Sequence, residues 1–295
     1  MRQLFARSVF PLVLGSALLG SLYFLESGQL QLALGVPAGS AALLILLLER
    51  RVPLHRSWQR SHGDVHVDLA HVVSVSTTTA AVQAGVVLAA LPVAGALRTH
   101  LGTPLWPTAW PWLLQLPLAL VVAELPKYWL HRLMHEREAL WRLHATHHSS
   151  PRLYFLNAAR FHPFDIGLDT LVGLLPLVVL GCGPEVLVLF AVVSAVHGYF
   201  QHANLVLQLG PLNYFFSMAE LHRWHHSKLP EEANRNYGQN VIVWDLVFGT
   251  FFWPRHREPP EEIGLADLPA FPQAFWRQLA SPFRWRRITQ ASSLG

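Results

Sequence analysis

Apolar residues run through this chain in long unbroken stretches, not in the narrow stripes of a surface helix. Residues 8–25 and 30–48 are each close to the 20 or so residues that a helix needs to cross bilayer hydrocarbon. Only a short polar stretch separates them, which predicts a helical hairpin over 1–48. A cleavable signal is the rival reading of the first run. However, Tyr23, Phe24, Leu25 and Glu26 stand where a small-residue cleavage site belongs. A polar, basic segment, 49–67, comes next. Residues 68–96, 111–130, 167–181 and 184–202 are further apolar runs, and Gly181-Cys182-Gly183-Pro184 marks a tight turn between the last two. The pattern predicts an all-α integral-membrane bundle of about four long spans plus a helical hairpin. A central unit occupies 49–253, and 254–295 reads as a Pro-rich polar tail.

Charge orients the bundle. With the N-terminus in the cytoplasm, the outer loops hold Arg98 alone. The inner side then holds Arg50, Arg51, Arg56, Arg60, Arg132, Arg137, Arg142, Arg152, Arg160, Arg223, Lys228 and Arg235. Lys127 and Lys228 are the only lysines among 22 basic residues, a bias that fits GC-rich coding and a bacterial source, for which the inner membrane is the expected location. The formal charge of +4 is mild and no basic run fits nucleic acid; Arg284, Arg286 and Arg287 fit a lipid surface. A lone cysteine, Cys182, excludes an intrachain disulfide and argues against a thiolate metal site.

Histidine changes the picture. Of 17 histidines, 11 fall between His131 and His226. Ten form four boxes: HRLMH (His131, His135), HATHH (His144, His147, His148), HGYFQH (His197, His202) and HRWHH (His222, His225, His226). On a helix, positions i, i+3 and i+4 share a face. Each HxxHH box is therefore a three-imidazole stripe, better suited to two adjacent metal ions than to one. His197 and His202 lie about 140° apart on a regular helix, so both reach one site only if the helix ends, tightens or bulges there. Imidazole suits iron, zinc, copper and nickel alike. Pro163 disfavours helix at His162, which makes His162 an additional ligand or an orienting group. Glu124, Asp165, Asp169, Glu220, Asn236 and Asp245 are candidates to orient the imidazoles through their second ring nitrogen.

Two other classes compete. A zinc-dependent membrane hydrolase lacks its usual signature, because His135-Glu136 does not continue to HExxH. A metal transporter needs ionisable residues along its spans, and 8–48 and 68–96 hold almost none besides His71. No glycine-rich nucleotide loop is present, so the chain carries no nicotinamide or nucleotide site of its own.

The stretch ELPKYWLHRLMHEREALWRLHATHHSS (124–150), followed by RFHP (160–163), QHAN (201–204), HRWHHS (222–227), NYG (236–238) and WDLVFGT (244–250), resembles the fatty acid hydroxylase/sterol desaturase superfamily. The likeness covers about residues 45–253 and is nearest in flavour to the alkylglycerol-monooxygenase-like and sterol-desaturase-like branch. The order of the boxes carries it. Glu124 stands where the family commonly has Asp. The resemblance implies a catalytic unit at 49–253 with a cytoplasmic, histidine-rich metal-binding cap. It implies two iron ions, O2 as co-substrate, and hydroxylation or desaturation of a lipid: fatty acyl, alkylglycerol, sterol or other isoprenoid. The implied ligands are His131, His135, His144, His147, His148, His197, His202, His222, His225 and His226. Electrons would come from a separate partner, such as a ferredoxin, a cytochrome b5-like protein or a reductase.

Overall fold

The computed structural model describes residues 2–294, and all their side chains but that of residue 2. Six of its helices are long and apolar enough to span a membrane. They are α1 (Arg2–Glu26), α2 (Leu30–Arg51), α3 (Val65–Leu101), α4 (Trp112–Glu136), α6 (Pro163–Leu180) and α7 (Pro184–His202). Shorter helices complete the chain: α5 (Glu138–His148), α8 (Ala219–His225), α9 (Pro230–Ala233), α10 (Val243–Phe248), α11 (Phe275–Leu279) and α12 (Trp285–Ser292). Among the described residues there is no β-strand beyond isolated bridges. The chain is a multi-pass, all-α membrane protein.

The exposure pattern shows what solvent the spans expect. In α1 and α2 the small residues Ala6, Ala17, Ala33, Ala38 and Ala41 are buried, while Leu4, Leu12, Leu19, Leu43, Leu44 and Leu47 are exposed. Small side chains let helices approach closely in lipid, where apolar faces gain nothing by hiding from an equally apolar medium. Water would punish that arrangement; hydrocarbon does not. Helix α7 lies at the centre. Its Leu189, Val192, Val193, Val196 and Phe200 pack with Phe10 and Val13 of α1, Ile45 of α2 and Leu120 of α4. Helix α3 packs mainly on α6, which in turn packs on α4.

At one end of the bundle the connections are short, spanning residues 27–29, 102–111 and 181–183. Everything else gathers at the opposite end as a cap. Helix α3 has 37 residues, and at 1.5 Å per residue its length of about 55 Å exceeds the ~30 Å of bilayer hydrocarbon. Its first turns therefore belong to the cap. There Arg160 donates to buried Asp68 at 2.6 Å, and Arg152 grips Asp64 just before the helix at 2.7 and 2.9 Å. Glu49 at the end of α2 accepts the backbone N–H of Phe155 at 2.9 Å and of Asn204 at 2.7 Å. These bonds satisfy polar groups that would otherwise be stranded beside lipid, and they fix the cap on the ends of the spans.

The segment 254–295 is not a free tail. Leu268, Phe271, Trp285 and Ile288 close over Ala145 of α5 as a small apolar core. Local hydropathy is low because the arginines of α12 face outward while Trp285 and Ile288, three positions apart, face in.

Candidate metal centre

Four helices deliver imidazoles to the cap. Helix α4 ends with His131 and His135 on one face. A single extended residue, Arg137 (φ −121°, ψ 113°), turns the chain directly into α5 with His144, His147 and His148. His202 is the last residue of α7, and α8 brings His222 and His225, with His226 as its C-cap.

Nine of these rings converge, in two groups. One contains His131, His135, His144, His148 and His225; the other contains His147, His202, His222 and His226. Within each group, one nitrogen from every ring lies within 4.8 Å of the others. The HxxHH boxes are divided between them in complementary fashion. Helix α5 gives two rings to the group of five and one to the group of four, and α8 with its cap does the reverse. The groups adjoin, since His148 stacks on His226 with ring centres 4.6 Å apart.

The tautomers reveal what the groups lack. His131 Nδ1 lies 2.7 Å from the carbonyl of Tyr237, and His144 Nδ1 lies 2.8 Å from the Asp165 carboxylate. A carbonyl oxygen only accepts, as does Asp165 in its carboxylate form, so each Nδ1 then donates and each Nε2 carries a bare lone pair. Yet the two Nε2 atoms are 3.0 Å apart. Two bare lone pairs at that distance repel, and a cation between them removes the conflict. In the group of four, His202 Nδ1 is engaged with Asn157 Oδ1 at 2.8 Å, and its Nε2 meets His222 Nε2 at 3.0 Å. The Nε2 atoms of His135, His148 and His225 are buried without any hydrogen-bond partner. Burial, and after it the neighbouring imidazoles, hold the pKa of His144, His148, His222, His225 and His226 well below the ordinary histidine range, and burial does the same for His147 beside His202. Neutral rings with free lone pairs are the metal-binding form. The donor set fits a pair of metal ions.

A loop holds much of this in place. His131 and His225 direct Nδ1 at the carbonyls of Tyr237 and Arg235, the latter at 2.8 Å. The loop that offers those carbonyls is strung between two carboxylates. Asp245 accepts from the N–H of Tyr237 at 2.8 Å and Gly238 at 2.7 Å, while Glu124 accepts from Gln239 and Asn240. Asn236, at φ +55°, donates to the carbonyls of Leu221 and Phe252 and accepts from Phe252 N–H. A Cβ at Gly238 would stand 2.5 Å from the Val241 carbonyl, so the close approach admits glycine alone.

Some expected residues stand elsewhere. His197 belongs to neither group. Helix α7 stays regular to His202, so the five-residue spacing turns His197 away, edge-on to Phe10 at 5.7 Å between ring centres. His162 caps α6, accepting from Phe164 N–H, and its Nε2 reaches the Leu279 carbonyl at 3.1 Å. Of the carboxylates, only Asp165 touches an imidazole. Glu124, Asn236 and Asp245 act through loop backbone, Asp169 pairs with Lys127 at 3.0 Å, and Glu220 binds Leu209 N–H and Asn213. Asn157 and Asn234, which accepts from His135 Nδ1 at 3.0 Å, carry no sequence signal beyond their amide side chains.

Comparison with known proteins agrees in character. A family model described as fatty acid hydroxylase matches residues 116–250. The chain is 37% identical to ornithine lipid hydroxylase OlsE of Rhizobium tropici, over 93% of this chain and 83% of that protein. It is 33% identical to alkylglycerol monooxygenase of Danio rerio over 50% of this chain and 31% of that protein. It is 31% identical to sphingolipid C4-hydroxylase sur2 of Schizosaccharomyces pombe over 46% of this chain and 47% of that protein. No solved structure matches the chain.

Proposed function

Because this chain belongs to the fatty acid hydroxylase family, we propose that it is a membrane-bound lipid hydroxylase whose two imidazole groups each hold one iron ion. The observation that carries this reading is the pair of adjoining groups, in each of which buried imidazole nitrogens face one another 3.0 Å apart. Iron bound there supplies O2 activation and oxidation of a C–H bond, with electrons from a separate donor such as a ferredoxin, a cytochrome b5-like protein or a reductase.

The protein's own part is positional. His131, His135, His144, His148 and His225 hold one ion, and His147, His202, His222 and His226 hold the other. Asp165, Asn157, Asn234 and the carbonyls of Tyr237 and Arg235 fix the tautomers and ring planes, and such outer partners typically govern metal affinity by about 10–100-fold. Burial of the rings keeps bulk water from the reacting centre. The catalytic unit is residues 49–253. The arginine distribution supports a cap facing the cytoplasm of a bacterial inner membrane.

The substrate is a polar, acyl-bearing membrane lipid, with ornithine lipid first. Likeness to OlsE runs through nearly the whole chain, spans included, whereas likeness to the alkylglycerol and sphingolipid enzymes stops at about half of it. Lipid profiles of a bacterial host with and without the gene test this. The expected product is heavier by one oxygen, and the label follows isotopic O2. A product lighter by two hydrogens would make the chain a desaturase. Turnover without O2 on bound zinc would make it a hydrolase.

A further inference from the structure

The outward face of the C-terminal segment has no part in the imidazole site. Arg284, Arg286 and Arg287, with Arg142 of α5, line a cleft of about 480 Å³. The inward side chains of α12 explain their direction: Trp285 and Ile288 are buried against α5, and that leaves the neighbouring arginines in solvent. Among the described residues no carboxylate lines the cleft, and Arg142 pairs with Glu138 outside it. Residues 268–295 contain no Asp or Glu at all. Arg284, Arg286 and Arg287 therefore lack Asp or Glu partners within it.

Two further observations place this face relative to the membrane. Gln278 of α11 meets the His71 ring of α3 at 2.8 Å, and the Leu279 carbonyl meets His162 at the start of α6. The segment is thus tied to the ends of two spans. Phe283 lines the cleft at 79% exposure, and Trp276 of α11 in the same segment is likewise uncovered at 77%. Uncovered aromatics next to arginines, at the level where spans leave the hydrocarbon, are the pattern of a headgroup contact. An acidic protein partner would account for the arginines but not for the bare Trp276 and Phe283.

We propose that the Arg142–Arg284–Arg286–Arg287 cleft binds the phosphate of an anionic membrane phospholipid, with Trp276 and Phe283 seated among the adjoining headgroups. The bound lipid would then brace the segment that clamps α5. This holds whichever reaction the imidazole site performs, since it uses none of those residues.

The test uses the full chain in mild detergent, offered equimolar phosphatidylglycerol and phosphatidylcholine, with retained lipid read by native mass spectrometry. The wild type is expected to retain phosphatidylglycerol preferentially, and the preference to fall as salt rises. Each basic side chain near an anionic surface is worth about fivefold in occupancy, so Arg284→Gln/Arg286→Gln/Arg287→Gln should lower the preference by at least about tenfold, allowing for screening. Equal retention by the wild type overturns the proposal, and so does a preference indifferent to salt, a readout that needs no variant. A preference that survives the triple variant, even if turnover with an acidic electron donor slows, assigns the face to a protein and overturns it as well. Displacement by equimolar inorganic phosphate assigns the cleft to a soluble anion and likewise overturns it.

Discussion

Helices α5 and α8 bear the same HxxHH spacing and feed the same centre, yet they are held by different means. Both are too short, at 11 and 7 residues, to be stable alone in water. Helix α5 is clamped by apolar contact, with Ala145 packed beneath Phe271, Trp285 and Ile288, and Asp165 accepts a hydrogen bond directly from His144 Nδ1. Helix α8 is held by hydrogen bonds. Arg223 donates to the carbonyls of Ala203 and Leu205 at 2.8 Å each, Asn236 binds the Leu221 carbonyl, and the Arg235 carbonyl orients His225. Packing spreads its load over many weak contacts and yields gradually. A hydrogen-bonded scaffold depends on single atoms, and each one lost strands a buried partner.

The sharpest way to break this comparison is to remove the donor that each helix lends to the other's group. His225→Ala takes the one α8 ring from the group of five, and His147→Ala the one α5 ring from the group of four. Each is expected to lose about half the bound iron and to cut turnover by more than ~100-fold, beyond what outer partners usually cost. Metal analysis beside product yield checks it, and full iron with full activity in either variant would falsify the ligand assignment. Next in size is Asn236→Ala, which strands the Leu221 and Phe252 groups and leaves an alanine at positive φ. A loss of roughly 3 kcal/mol is expected, seen as a lower unfolding temperature in detergent. Ile288→Ala should cost about 2 kcal/mol. Amide exchange should rise in residues 138–148 and stay unchanged in 219–226; equal loosening of both helices would show that the two supports are not separate. The smallest effect belongs to His197→Leu. Both ring nitrogens of His197 are buried without partners, so an apolar side chain of similar size should leave iron content intact and the unfolding temperature level or higher. A fall in iron content would return His197 to the site.

The spans were legible because an uninterrupted apolar run has one interpretation at the length of a bilayer. The boxes were legible because imidazoles at i, i+3 and i+4 share a helical face. The same arithmetic singled out His197 as the odd member, needing a helical irregularity that α7 does not contain. The supports were harder to read. Tyr237 and Arg235 act through carbonyls, which every residue possesses, so nothing in their side chains announces the role. Glu124 and Asp245 stood out as carboxylates near the boxes, but pattern alone cannot tell a grip on an imidazole from a grip on loop amides. The packing of the C-terminal segment was hard to read, because exposed arginines stand beside Trp285 and Ile288, which with Leu268 and Phe271 seat it on α5.

Arg137 interrupts the helix for one residue, and four of the five rings in the larger group sit on either side of that interruption, two on α4 and two on α5. A change in the lean of α4 must therefore alter the spacing of that set directly. The smaller group has a single ring on a span, His202 at its very end. One half of the cluster thus rests on the junction between a span and the cap, while the other half rides with the cap.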